Sequence, residues 1–288
     1  MDILVVGGTR FFGIHLVHAL LAAGHRVSIA TRGNTPDPFG DSVERIQMDR
    51  SSQSSVKQAL YGRQFDVVCD NIAHCSNDVR YLLDAVQTGR YVATSTVSVY
   101  PTLHLDLHED EVNPLSHPLI WCDDVAFAYD EAKRQMECAI FQQYAHIPSA
   151  AVRLPWVIGV DDYTNRFAFY VQHILAGQPM YVDNAGAQLS FVHSADAGAF
   201  LAHLSAQPFC GTVNMASHGT ISLQQVFDYV QTQTGKAPVL DEDGDAGPYN
   251  GAPDFSLNLQ RCASTGFAIS PLDAWIYSLI DALIERHR

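Results

Sequence analysis

The sequence predicts an α/β fold, a doubly wound parallel sheet carrying a small C-terminal α/β lobe. Three observations predict it. Short apolar runs alternate with helix-period segments over the first two-thirds of the chain, the pattern of parallel βαβ units. Several runs are continuously apolar, as in Val67-Val68-Cys69, which suits strands covered on both faces. A glycine-rich turn, Gly7 to Gly13, falls between the first apolar run and the first helical pattern.

Taken in order, Ile3–Val6 reads as the first strand. Ile14, Leu16, Val17, Leu20 and Leu21 then recur at helical spacing up to Gly24, a plausible C-cap. Arg26–Thr31, Val43–Met48, Asp66–Ile72 and Tyr91–Thr96 read as the second to fifth strands. Helices are predicted over Val56–Tyr61 and Val79–Val86. A polar stretch rich in Asp, Glu, His and Pro follows Tyr100-Pro101 as far as Trp121. Its densest part, His104 to Glu111, reads as a solvated acidic lid rather than a metal site. A helix from about Val125 to Tyr144 leads to a strand, Ala150–Leu154, closed by Pro155. Past Gly159 helices are expected near Phe167–Leu175, Ala195–Leu204, Leu223–Thr234 and Leu272–Ile284. Short strands are expected near Met180–Val182, Leu189–Val192 and Thr212–Asn214, and Asp241 to Pro253 reads as a loop. Residues 1-159 are thus expected to form the main domain, completed by a late strand within about 188-216, and 160-288 mainly the second lobe.

Composition narrows the function. The chain has 288 residues, with 17 basic and 31 acidic side chains and a formal charge of −14. That surface disfavours nucleic acid and anionic membranes, which need positive potential, and favours a small-molecule partner. No stretch approaches the ~18 apolar residues of a membrane span. An acid at Asp2, where a secretion signal carries Lys or Arg, and six scattered cysteines without a C-x-x-C pair point to a reduced, cytoplasmic setting. No metal is expected.

The turn Gly7-Gly8-Thr9-Arg10-Phe11-Phe12-Gly13 suits a dinucleotide: glycine lets the backbone turn tightly against a pyrophosphate seated on the helix N-terminus. This is the Rossmann-type arrangement. NAD-preferring loops usually place an acid at the end of the second strand. Here the strand ends Thr31-Arg32-Gly33, and Arg10 and Arg32 offer guanidiniums where a 2′-phosphate would lie. NADP(H) is therefore expected in preference to NAD(H), which stays open as the alternative.

Tyr129 and Lys133 lie four apart within a predicted helix and so share one face. A tyrosine working as general acid/base at neutral pH needs a pKa about three units below its free value, roughly 4 kcal/mol. A cation ~4 Å away at an effective dielectric of ~20 supplies about that much. Thr96 ends the fifth strand in a hydroxyl-rich segment, Thr94-Ser95-Thr96-Val97-Ser98, at the edge where open α/β sheets bind ligands.

These residues carry a resemblance. With the glycine turn, Asp49 after the third strand, Ser95-Thr96 leading to Val99-Tyr100, Tyr129/Lys133 followed by Arg134 and Glu137, Arg153-Leu154-Pro155 to Gly159, and Phe191-Val192-His193 to Asp196, the chain resembles an extended short-chain dehydrogenase/reductase of the NAD-dependent epimerase/dehydratase family. The resemblance implies Tyr129 as general acid/base, Lys133 lowering its pKa and holding the nicotinamide ribose, and Thr96 hydrogen-bonding the reacting oxygen. It implies Asp49 against adenine, Pro155 beside the nicotinamide, and Ala73 among the cofactor-binding residues. The central loop glycine is replaced by Arg10, as in an atypical branch. Val97 and Ser98 stand where sugar-nucleotide dehydratases carry Asp and Glu, which argues against dehydration. Gln188-Leu189-Ser190 lacks the arginine with which epimerases often clamp a diphosphate, and Trp156 stands where many carry Asn. His74, Trp156 and Arg166 are candidate substrate contacts, while His193 is expected to be structural. The expected function is an NAD(P)-dependent oxidoreductase acting at a carbonyl or alcohol carbon, as a reductase. A nucleotide-sugar epimerase is the first alternative, and a non-catalytic nucleotide-binding regulatory or RNA-associated protein the second. A homodimer through the helices after the fourth and fifth strands is expected.

Overall fold

The computed structural model describes all 288 residues. Seven parallel strands form its central sheet: β1 (Asp2–Val6), β2 (Arg26–Thr31), β3 (Val43–Gln47), β4 (Val67–Asp70), β5 (Tyr91–Thr96), β6 (Ser149–Leu154) and β7 (Gly211–Asn214). Their order is β7-β6-β5-β4-β1-β2-β3. The chain reverses direction across the sheet between β1 and β4, the switch point at which such sheets bind ligands.

Alternation along each strand divides the core. Ile3 and Val5 of β1 pack with Leu16, Val17 and Leu20 of helix α1 (Phe12–Ala22) on one face, together with Phe200, Leu201 and Leu204. Leu4 and Val6 point the other way. They join Val56 and Leu60 of α2 (Gln53–Leu60), Val79 and Leu82 of α3 (Ser76–Leu83), and Met136 of α4 (Tyr129–Cys138). Helix α6 (Ser194–Ser205) belongs to the sheet core, whereas the lobe has its own core, built on α5 (Ala168–Ala176), α7 (Leu223–Thr234) and α8 (Ile276–His287). At the junction α6 packs on α1 so closely that a Cβ on Gly198 would lie 2.6 Å from the Phe12 carbonyl, the Leu16 nitrogen and the His15 side chain.

Three expectations are corrected. The helix expected over Val125–Tyr144 is a 3₁₀ turn at Asp124–Ala126, a break, then α4, then a π-helical turn at Ala139–Gln143. The break makes Tyr129 the first residue of α4. The terminal helix is likewise divided, with a 3₁₀ turn at Leu272–Ala274 ahead of α8. Finally, the His104–Glu111 stretch is no lid: it lies outside the cleft lining. Leu107 is fully buried and paired with Leu257. The Glu109 carboxylate accepts from the Asn214 backbone (2.8 Å) and lies 3.6 Å from the Arg261 guanidinium. A buried acid with such partners is a strut. The late strand Phe191–His193 pairs with Trp156–Ile158 in a small separate sheet, and β7 extends the central sheet beside β6.

Candidate active site

A cleft of about 880 Å³ runs along the C-terminal edge of the sheet, over the switch point. Its floor is the glycine turn. Gly7 and Gly8 both adopt φ of +93°, which side-chain-bearing residues rarely take. A Cβ on Gly13 would lie 2.8 Å from the Gly8 Cα, so only glycine lets the turn close on α1. The result is a bare backbone cradle at a helix N-terminus, which fits a dinucleotide pyrophosphate. Thr9, Arg10, Phe11, Phe12, Arg32, Asp49 and Pro155 also line the cleft.

The residues expected to hold the adenosine end are distributed as follows. Arg10 donates to Thr35 (3.1 Å) and its guanidinium lies over the Tyr163 ring at 5.3 Å. Arg32 is exposed at the end of β2, without an acidic hydrogen-bond partner. Asp49 accepts from the Ser51 hydroxyl (2.7 Å) and backbone (3.1 Å), and these bonds, aided by Arg32, hold its carboxyl below the usual range. Ala73 is not on the cleft wall: it is fully buried, and its carbonyl accepts a hydrogen bond from Lys133.

Tyr129, Lys133 and Thr96 line this one cleft. Tyr129 is 50% exposed, opening into the cleft while protein encloses its other sides. That enclosure raises the phenol pKa. The Thr96 hydroxyl and the Arg166 charge pull it back, and Asp124 opposes them. The expected depression by Lys133 is therefore absent in this state. The ammonium lies 5.9 Å from the Tyr129 ring centre and donates to the carbonyls of Ala73 (2.8 Å) and Thr94 (2.9 Å). Burial brings Lys133 down to about 8, against the pull of Asp70, Glu137 and Asp78. Thr96 caps the following 3₁₀ turn by accepting from the Ser98 backbone, and donates to the Ser98 hydroxyl.

His74 meets the Tyr129 ring edge-on at 6.0 Å and contacts Asp124 at 3.3 Å. Burial, then the Lys133 charge, lowers its pKa, against the pull of Asp124 and Asp78. Trp156 is half-buried. It packs on Tyr249 at 4.4 Å and Phe255 at 5.3 Å, so most of its ring belongs to the lobe core. Arg166 lines the same end of the cleft as Trp156. His193 is structural, accepting from the Ala195 backbone at the start of α6.

Sequence reasoning missed a buried support beneath Lys133. Arg50 binds both oxygens of Asp70 (2.5 and 2.9 Å) and lies 3.3 Å from Asp78, while the Tyr91 hydroxyl donates to Asp70. Asp78 in turn accepts from the His74 backbone at 2.7 Å. Asn71 was also missed. It lines the cleft at the end of β4, and its buried amide nitrogen has no partner. Its position at a strand's C-terminal edge was the available signal.

The sequence profile of the NAD dependent epimerase/dehydratase family matches residues 3–216. A chloroplast stem-loop binding protein of 41 kDa (b) from Arabidopsis thaliana is 28% identical over 204 residues, 65% of this chain and 50% of that protein. The chain thus spans half the length of that relative. A 2′-dehydrokanamycin reductase from Streptomyces kanamyceticus is 26% identical over 243 residues, covering 82% of this chain and 67% of the reductase. Among solved structures, MoeE5 in complex with UDP-glucuronic acid and NAD aligns at a TM-score of 0.76 and 19% identity, over 99% of this chain and 98% of that one. The UDP-glucuronic acid 4-epimerase from Bacillus cereus, solved with NAD, aligns at 0.73 and 16% identity over 100% of both chains. At these identities the likeness speaks for the fold.

Proposed function

Because the chain belongs to the NAD dependent epimerase/dehydratase family, we propose that it is an NADP(H)-dependent oxidoreductase that reduces a carbonyl group. The observation that carries this is the opening of the Tyr129 phenol into the same cleft as the glycine cradle and Thr96. A bound nicotinamide dinucleotide supplies the hydride. Tyr129 gives a proton to the carbonyl oxygen during reduction and takes one from the alcohol in reverse. Thr96 turns its hydroxyl from Ser98 to that oxygen. Lys133 has one N–H left after its two carbonyl bonds, and that proton would hold a ribose hydroxyl of the dinucleotide.

The exposed guanidinium of Arg32, which has no hydrogen-bonded acid, and the absence of an acid at the end of β2 support NADP(H) over NAD(H). Gln188 supports reduction over nucleotide-sugar epimerisation. It is engaged with Asp254 through its backbone N–H (2.7 Å) and with Thr220 through its side chain (2.9 Å), and no arginine stands beside it to clamp a diphosphate. In this reading residues 1-159 with β7 hold the dinucleotide and 160-288 mainly hold substrate. The net charge of −14 disfavours RNA as a partner. Six free thiols suit the cytoplasm, and α3 and α4 are the helices through which a homodimer is expected. No helix is long and apolar enough to cross a membrane.

The test is to purify the protein, measure its retained dinucleotide, and offer NADPH or NADH with a panel of oxidised sugar derivatives. Net loss of the reduced-nicotinamide absorbance, with a lower KM for NADPH, is expected. Tightly retained dinucleotide and product interconversion without net absorbance change would instead establish epimerisation.

A further inference from the structure

Of the cations lining the cleft, Arg10 and Arg32 lie at the expected adenosine end, with Arg10 on Thr35 and the Tyr163 ring, and Arg166 has no part in the reaction just described. Arg50 is neutralised by Asp70 and Asp78, and Lys133 is held by two carbonyls. Arg166 has no acidic partner, and its hydrogen bond runs from Nε to the Thr164 hydroxyl at 3.2 Å. That bond is itself held in place. Asp162, 7% exposed, accepts from both the Thr164 backbone (2.9 Å) and the Thr164 hydroxyl (2.6 Å). The hydroxyl proton is therefore committed to Asp162, and an oxygen lone pair faces Arg166 Nε. Between them Asn165 adopts φ of +56°, the left-handed turn that asparagine tolerates. The guanidinium is thus anchored at one corner while both Nη groups stay free.

Two buried polar atoms nearby also lack partners, Asp162 Oδ2 and Tyr249 Oη. Tyr249 lies against Trp156, which lines the cleft, so its hydroxyl is buried behind that wall. What faces the cleft is the fork itself: a guanidinium held at Nε, with both Nη groups free to donate to an anion.

We propose that Arg166 is the specificity-determining residue of this cleft: its two Nη groups grip an anionic group of the substrate, a carboxylate or a phosphate, while Asp162 and Thr164 position it. This rests on the reading of the cleft as an active site and deepens it. Arg166 also favours the Tyr129 phenolate, alongside Thr96 and against Asp124, with Lys133 and His74 as the other groups nearby. An anion gripped by Arg166 offsets that charge and keeps Tyr129 protonated, the form needed to donate to a carbonyl.

The experiment is calorimetric titration of the NADPH-saturated protein with malonate and, separately, with inorganic phosphate. The expected result is binding of at least one anion, weakened about tenfold or more by Arg166→Met. Arg166→Lys should be intermediate, because a point charge cannot reproduce the fork. Thr164→Val should weaken binding by about threefold or more, with NADPH affinity unchanged. Malonate binding alone identifies a carboxylate, phosphate binding alone a phosphate. A second readout is the Tyr129 phenolate titration, taken as the absorbance difference from Tyr129→Phe. The anion should raise its midpoint in the wild type and leave it unmoved in Arg166→Met. Failure of both anions to bind, or equal binding by Arg166→Met, overturns the proposal. If NADPH itself does not bind, the oxidoreductase reading fails instead, and the same Arg166 comparison on the dinucleotide-free protein decides the anion site.

Discussion

The Lys133 ammonium lies 5.9 Å from the centre of the Tyr129 ring and donates to the Ala73 and Thr94 carbonyls. The pair shares one face of α4, as the four-residue spacing requires, but Lys133 ties the helix to the segments at the ends of β4 and β5. Tyr129 is left as the group open to the cleft.

Tyr129→Phe removes the proton donor and keeps the ring. Turnover should fall by roughly 10²–10⁴-fold, while dinucleotide affinity, followed by fluorescence titration, stays within about twofold of wild type. Undiminished turnover would exclude Tyr129 as the acid/base.

Lys133 should leave an alkaline signature on stability. Its folded pKa is about 8 against an ordinary 10.5. Below about 8 the ammonium is protonated in both states, and the cost of burying it is carried in full. Between about 8 and 10.5 the unfolded chain holds more protons, so this residue's contribution to stability rises with pH. The rise is at most about 3 kcal/mol. Denaturant midpoints of wild type and Lys133→Met, measured across that window, should diverge in favour of the wild type as pH increases; parallel curves would contradict the assignment.

Arg32→Ala should raise the NADPH dissociation constant by about tenfold or more while changing NADH affinity little, since only the former carries the 2′-phosphate. Equal losses for both dinucleotides would show that Arg32 does not select between them.

Glu137 accepts from Arg153 at 3.0 and 2.7 Å and from Ser95 at 2.6 Å, and Arg153 is fully buried. Glu137→Leu leaves that guanidinium without its counter-charge. A loss of about 3–5 kcal/mol in unfolding free energy is expected. A loss below about 1 kcal/mol would mean that the Tyr100 hydroxyl and the carbonyls of Glu109 and Val112 suffice to hold Arg153.

Much of the molecule was legible in one dimension. A strand buried on both faces reads as a largely apolar run, as Val67-Val68-Cys69 does, and the expected bounds Arg26–Thr31 and Tyr91–Thr96 coincide with the observed ones. The glycine turn is legible because its backbone excludes any Cβ, and Tyr129 with Lys133 because helical periodicity is local. Where a side chain's environment depends on distant residues, the same reading misleads. Glu109 looks as solvated as its exposed neighbours in the His104 to Glu111 stretch until Asn214 and Arg261 arrive to bury and bind it.

The sequence by itself determined the sheet, the cradle and the presence of Thr96, Tyr129 and Lys133 in one cleft, because those follow from periodicity and backbone sterics within a few residues. Only the tertiary structure decided how the charges are apportioned. Arg50 is neutralised by Asp70 and Asp78, 20 and 28 residues further along the chain. Lys133 is committed to carbonyls from two other segments, and Arg166 is left with both Nη groups free. Ion pairing and desolvation act through space over a few ångströms, and no sequence spacing encodes which groups folding brings that close.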